Sequence, residues 1–307
     1  MRPVVAIFLF LATVLLGGAL IAPWAWNLMQ WAATQSDSLK PWADAPFHRY
    51  VSRCFLIVAL AGLWPFLRAV GARSFRDAGL CRSADSARQV VLGLAIGFGS
   101  LALVGLAGLL AGARTLHLEF SSGQWAAHLG NATLSAVVVA VLEELLFRGA
   151  IFAALRKSLA LPAAIGLSSA IYAALHFFQR SESSGPVEWS SGLALLPRML
   201  RGFGAVQDLI PAFPNLLLAG VILAMLFVAT GSLWVSIGVH AGWIFLQKTH
   251  ALVTIPAPGP QAAFWGTGKL VDGWPAAIVL ATVVAVIWVR SIRNPRVLPP
   301  REPSELP

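Results

Sequence analysis

Long apolar runs, separated by short polar or glycine- and proline-bearing breaks, recur from one end of the chain to the other. A helix needs about 20 apolar residues to cross the hydrocarbon core of a bilayer. Runs of that order predict spans at 4–22, 54–70, 90–111, 132–155, 161–178, 215–230, 232–247 and 275–289. Only Thr230-Gly231-Ser232 parts the sixth from the seventh, which predicts a tight helical hairpin. The fold class is therefore all-α, a polytopic transmembrane helix bundle of about eight spans. Three segments follow: N-terminal spans and their connections at 1–73, a core at 74–250, and a last span with its tail at 251–307. The first run follows a short basic start, Met1-Arg2, but Pro23-Trp24-Ala25-Trp26 comes after it in place of a small-residue cleavage site. It reads as a retained helix and not as a signal peptide.

The breaks carry less information. Residues 71–89 are basic and read as a segment lying on the membrane surface. Residues 179–214 are too long for a simple connection and are interrupted by Pro186, Pro197, Pro211 and Pro214. Within them, 193–203 mixes Leu and Met with Arg198 and Arg201, which fits a short interfacial helix as well as it fits a plain loop. The tail after Arg290 is rich in proline and charge and reads as disordered.

Composition agrees with the pattern. The chain has 307 residues, of which 58% are hydrophobic and 11% charged, with a mean hydropathy of +0.75. Soluble domains carry about 25% charged residues, so a globular protein is excluded. The net charge of +9 would raise the question of nucleic acid in a soluble chain. Here the basic residues sit at span ends, where topology and anionic headgroups call for them. Arg68, Arg73, Arg76, Arg82 and Arg88, the pair Arg156-Lys157, and Arg290, Arg293, Arg296 and Arg301 all fall on one side of the eight-span map. That excess predicts an N-in, C-in topology. Only Lys40, Lys157, Lys248 and Lys269 are lysines, and together with the Ala, Gly and Trp content this suggests a bacterial inner (plasma) membrane protein. Cys54 and Cys81 lack metal-ligand spacing and predict no disulfide. No internal repeat of the transporter kind is visible.

The chemistry is concentrated in Glu143, Glu144 and Arg148, in the middle of the fourth span. Each ionisable group at a helix centre costs about 2.5–3.5 kcal/mol to insert, so the three cost on the order of 7–10 kcal/mol. Charges retained at that cost mark a functional site by default. Glu144 and Arg148 are spaced i,i+4 with the acid first, the favourable orientation for a helix pair. Glu143 is turned about 100° from Glu144 and has no partner on its own helix. A carboxylate so placed can exchange protons, so Glu143 is the candidate general base and Glu144-Arg148 a structural brace.

Two histidines lie inside other spans, His176 at the end of the fifth and His240 in the seventh. Counting residues from the inner surface at about 1.5 Å each sets Glu143 and His176 at a similar depth, roughly 20 Å. By the same count His240 is shallower, roughly 12 Å, and fits only if its hairpin is submerged. A single membrane histidine is more often a helix–helix hydrogen bond than a catalyst. A lone acid–base run could equally be a packing pair or part of a proton path. It is the three elements in neighbouring spans that point to a site. His48, His117, His128 and His250 fall in loops or at span ends and are given no role.

These residues resemble the CPBP family of intramembrane proteases, also called the Abi family. It includes CAAX prenyl-protein endopeptidases and bacteriocin-processing or self-immunity relatives. The Glu-Glu-x-x-x-Arg motif is intact as Glu143, Glu144 and Arg148. The aromatic-x-x-x-His motif reads Tyr172 to His176, with Tyr where Phe is usual. The last motif has His240, but Ile244 stands where Asn is expected. The resemblance covers roughly 74–247, including Ala78-Gly79-Leu80, a glycine-rich span and the run from Gly220 to Ser232, so that 74–250 reads as the protease core.

What the resemblance implies is peptide-bond hydrolysis within the membrane, on a membrane-anchored protein or peptide and with no nucleic acid as partner. Glu143 would activate water with His176 as its partner, and His240 would donate to the oxyanion. With Ile244 in place of Asn, one donor is missing, a loss that typically costs about 10²–10³ in rate. Either a backbone N–H or the Trp243 N–H substitutes, or activity is reduced. No cofactor is expected in this version. The alternative gives Glu143, His176 and His240 to a catalytic zinc, a chemically reasonable ligand set. The rival reading of function is a non-catalytic membrane scaffold or immunity-type binding protein with the same fold. A proton-relaying transporter comes third.

Overall fold

The computed structural model describes residues 3–81, 83–178, 185–203, 209–257, 259, 262–266 and 268–293. The tail after residue 293, Arg2 and Arg82 lie outside the described residues. The described chain is helical almost throughout. Its main helices are α1 (Pro3–Ala12), α2 (Gly18–Gln35), α3 (Phe47–Ala69), α4 (Ser86–Leu110), α5 (Ser122–Glu144), α6 (Ala153–Arg156), α7 (Leu161–Leu175), α8 (Ser191–Met199), α9 (Ala212–Thr230), α10 (Trp234–Val253) and α11 (Trp274–Arg293). A π-helical turn, Thr13–Gly17, joins α1 to α2, and a longer one, Leu145–Phe152, joins α5 to α6. Every expected span overlaps one of these helices. Five helical segments, Val4–Gln35, Phe47–Ala69, Ser86–Leu110, Ala212–Thr230 and Trp274–Ser291, are long and apolar enough to cross a membrane, and Leu161–Leu175 is a shorter apolar helix. The protein is an integral membrane protein. A two-stranded antiparallel ribbon, β1 (Arg114–Leu116) with β2 (Thr254–Pro256), is the one departure from helix among the described elements.

The chain forms two compact units, 1–73 with 174–209, and 74–173 with 210–307. Residues 174–209, which the sequence division assigns to the core, therefore group with the N-terminal helices. Residues 251–307 group with the core. The first grouping has a local cause. Of the two readings open for 193–203, a short helix and a plain loop, the helix is present as α8 followed by a 3-10 turn, Leu200–Phe203. Its Gly192 backbone lies against the Ala19 carbonyl of α2, where any Cβ would collide. Leu195 then completes a core with Ala22, Phe47, Tyr50, Val51 and Cys54. Cys54 and Cys81 are both free thiols.

The second unit is organised by glycine. Gly93 and Gly97 on α4 oppose Gly238 and Gly242 on α10, two G-x-x-x-G pairs facing each other. A Cβ at Gly93 would strike the Val235 carbonyl, one at Gly97 that of Val239, and one at Gly238 that of Val90. With no side chain between them the two backbones touch, which is how small residues drive helix pairing where lipid removes the hydrophobic force. Between its two glycines, α10 carries His240.

Other contacts fix the neighbours. The hairpin between α9 and α10 is as tight as expected: Gly231 has φ +64°, and its N–H donates to the Phe227 carbonyl at 2.8 Å. Ser236 donates to the Leu223 carbonyl at 3.0 Å, binding α10 to α9. Asn215, at the start of α9, donates to the carbonyls of Val271 and Gly273 and so anchors the entry to α11. The 71–89 segment is bonded to the core helices. Leu233 N–H donates to the Gly79 carbonyl and the Trp234 indole to that of Cys81, which ties the segment to the N-terminus of α10. Ala78 is small enough to rest against Gly149.

Candidate active site

Both glutamates sit at the end of α5, and Arg148 lies in the π-helical turn that follows. Such wide turns are rare overall and are frequent at functional sites. The i,i+4 brace forms as expected: Arg148 Nη1 donates to Glu144 Oε1 at 2.9 Å, with the two side chains 2% and 0% exposed. Arg148 Nη2 donates to the Gly220 carbonyl of α9 at 3.0 Å. That carbonyl is within reach because Gly220 has no Cβ to strike Ser169 of α7. The guanidinium also lies 4.9 Å from the Tyr172 ring centroid, a cation–π contact in a dry setting. Glu144 Oε2 is buried without a hydrogen-bond partner among the described residues, so the pair is held through Oε1, and removing one partner would leave the other uncompensated.

Glu144 has a second task that the spacing did not reveal. Nδ1 of His240 lies 2.9 Å from the same Oε1 that accepts from Arg148. A carboxylate so paired can only accept, so Nδ1–H donates to it and the ring is fixed in orientation. This turns Nε2 towards Glu143, whose Oε2 is 3.7 Å away. The two adjacent glutamates thus differ sharply in access: Glu144 is sealed, whereas the Glu143 side chain is 27% exposed. Tyr172 completes the group. Its hydroxyl is 3.5 Å from Nε2 of His240, and its ring packs edge-on against Phe147 at 5.0 Å between centroids.

His240 meets both glutamates, although residue counting set it shallower. His176 follows α7 directly, is exposed, and belongs to the unit formed by 1–73 and 174–209. Ile244 is half-buried and offers no donor. The Trp243 indole, considered as a replacement, instead donates to Ser100 Oγ of α4 at 2.9 Å, and Ser100 donates to the Gly97 carbonyl. Sequence reading used Tyr172 only as the aromatic of a motif. The available signal was its rarity, since the chain has two tyrosines and a phenol within an apolar span needs a polar partner. Among the described residues no group of three or more His, Cys, Asp or Glu is arranged to hold a metal ion.

Comparison with known proteins adds one finding. Residues 124–246 match the family described as type II CAAX prenyl endopeptidase, Rce1-like, a stretch that includes both glutamates, Arg148, Tyr172, His176 and His240. The resemblance to the CPBP proteases thus holds across a continuous segment and not only at three motifs. No curated protein and no solved structure matches the chain.

Proposed function

We propose that this protein is an intramembrane endopeptidase that hydrolyses a peptide bond in a membrane-bound peptide or near the C-terminus of a membrane-anchored protein. Glu143 is its base: it takes a proton from water and later returns it to the leaving nitrogen. His240, anchored through Nδ1 on Glu144, presents Nε2 to the oxygen of the scissile carbonyl. Arg148 holds Glu144 in place. The observation that carries this reading is the asymmetry of two neighbouring carboxylates, one sealed and doubly bonded, the other accessible and facing an imidazole at 3.7 Å. A structural ion pair would explain Glu144 but not Glu143. The family matched by 124–246 acts, by its description, on prenylated CAAX proteins, which supports a membrane-anchored substrate. We assign the protein to a bacterial inner membrane with both ends cytoplasmic, from its arginine placement. His176 enters as the expected partner of Glu143 and is tested by its own substitution, His176→Ala.

The deciding experiment compares the termini of membrane proteins by mass spectrometry in cells carrying wild type or Glu143→Gln at equal expression. Termini that depend on Glu143 establish proteolysis and identify the substrate. Identical termini with a well-inserted variant would overturn the reading. Ile244 is the feature that favours the non-catalytic scaffold, and that same outcome would establish it.

A further inference from the structure

One polar group beside Glu143 has no assigned task. The Tyr172 ring is buried and held on two sides, by the edge of Phe147 and by the Arg148 guanidinium. These contacts fix the ring and leave the hydroxyl only rotation about its own C–O bond. The phenol oxygen stands 3.5 Å from Nε2 of His240. That is long for a bond between the two, yet it suits two donors converging on a single oxygen, each at about 2.8–2.9 Å. Glu143 Oε2 lies 3.7 Å from the same Nε2, so the base borders the same space. The other candidate donors are accounted for, since Ile244 has none and the Trp243 N–H is engaged by Ser100.

We propose that the Tyr172 hydroxyl is the second oxyanion donor of this site, working beside His240 in its imidazolium form, in which Nδ1–H stays on Glu144 and Nε2–H donates to the oxyanion. The inference rests on the reading of Glu143 as base. Glu143 takes one proton from water, the hydroxide oxygen bonds to the carbonyl carbon, and the carbonyl π pair moves onto its oxygen. Tyr172 and His240 keep their protons and donate hydrogen bonds to that oxygen. When the oxyanion collapses, the C–N bond breaks and the Glu143 carboxyl protonates the leaving nitrogen. A donor aimed at charge that exists only in the transition state acts on kcat and leaves KM alone.

The test uses full-length protein in phospholipid nanodiscs and the substrate found by the comparison of termini. Tyr172→Phe, Glu143→Gln and wild type are assayed together, with thermal unfolding as a control. The expected result is an inactive Glu143→Gln and a Tyr172→Phe whose kcat falls by about 10²–10³ with KM held. Its unfolding temperature should stay near wild type, because both ring contacts survive. If Tyr172→Phe keeps the wild-type kcat while Glu143→Gln is inactive, this proposal falls and the base assignment stands. If Glu143→Gln leaves every terminus unchanged, both fall together. Should Tyr172→Phe unfold, 3-fluorotyrosine at position 172 decides. Its more acidic phenol moves the alkaline limb of the kcat profile to lower pH if the hydroxyl donates, and an unmoved limb overturns the proposal.

Discussion

Helix α10 carries two buried histidines, and their surroundings could hardly differ more. His240 sits among carboxylates, with Nδ1 on Glu144 and Nε2 facing Glu143. His250 sits beside Thr254 and Arg114: its Nδ1 is 3.3 Å from the Thr254 hydroxyl, which in turn accepts from Arg114 Nε at 2.8 Å. The His250 ring packs on Gly105 of α4, and its Nε2 has no hydrogen-bond partner among the described residues. Both rings are almost fully covered, so burial does not separate a reactive histidine from a structural one. What separates them is a carboxylate within reach on a partly exposed side chain. His240 has one in Glu143, whereas His250 serves the join between α10 and the β1–β2 ribbon.

Substitutions can break this contrast or sharpen it. The largest effect is expected from Glu143→Gln, which removes the base while keeping shape. Cleavage should fall by about 10²–10⁴ with insertion unchanged, measured as product formed per folded protein. Glu144→Ala should act first on stability, since it strands Arg148 in a dry interior at a cost of about 3–5 kcal/mol. Denaturation in detergent reads that loss, and a stable Glu144→Ala protein would contradict the buried pair. Next comes the histidine contrast itself. His240→Ala should lower kcat by about 10²–10³, whereas His250→Ala should leave kcat alone and lower stability by about 1–3 kcal/mol. Equal effects of the two on kcat would erase the distinction drawn above. The smallest effect belongs to Trp243→Phe, which loses one buried hydrogen bond to Ser100, about 1 kcal/mol of stability, with the rate unchanged. A large rate loss there would return Trp243 to the list of oxyanion donors.

Much of this was legible in the sequence, and the gaps have physical reasons. The spans could be read because lipid demands long apolar helices, and the Glu144–Arg148 brace because i,i+4 spacing survives into the wide turn at 145–152. Counting could admit His240 only on the condition of a submerged hairpin, because it treats each helix as an upright rod starting at the bilayer surface. The contact with both glutamates comes from packing between helices, which counting does not see. The bond from His240 to Glu144 was not legible because a carboxylate's second partner comes from another helix and leaves no trace in local spacing. The docking of α8 on α2 depends on one glycine backbone meeting one carbonyl, a contact that no periodicity announces.

The paired glycines of α4 and α10 bear on how the site answers to its lipid surroundings. A helix whose apolar length differs from the local bilayer thickness tilts or shifts to compensate. Here α10 cannot slide along α4, because Gly93, Gly97 and Gly238 each rest on a carbonyl of the other helix. Any mismatch must therefore be taken up by the pair as one body, and the height of His240 relative to α4 stays constant. Thick and thin membranes would change the inclination of the pair but not its internal ruler. Transferring the protein between short-chain and long-chain lipids should thus alter how substrate reaches the site before it alters the spacing between His240 and α4.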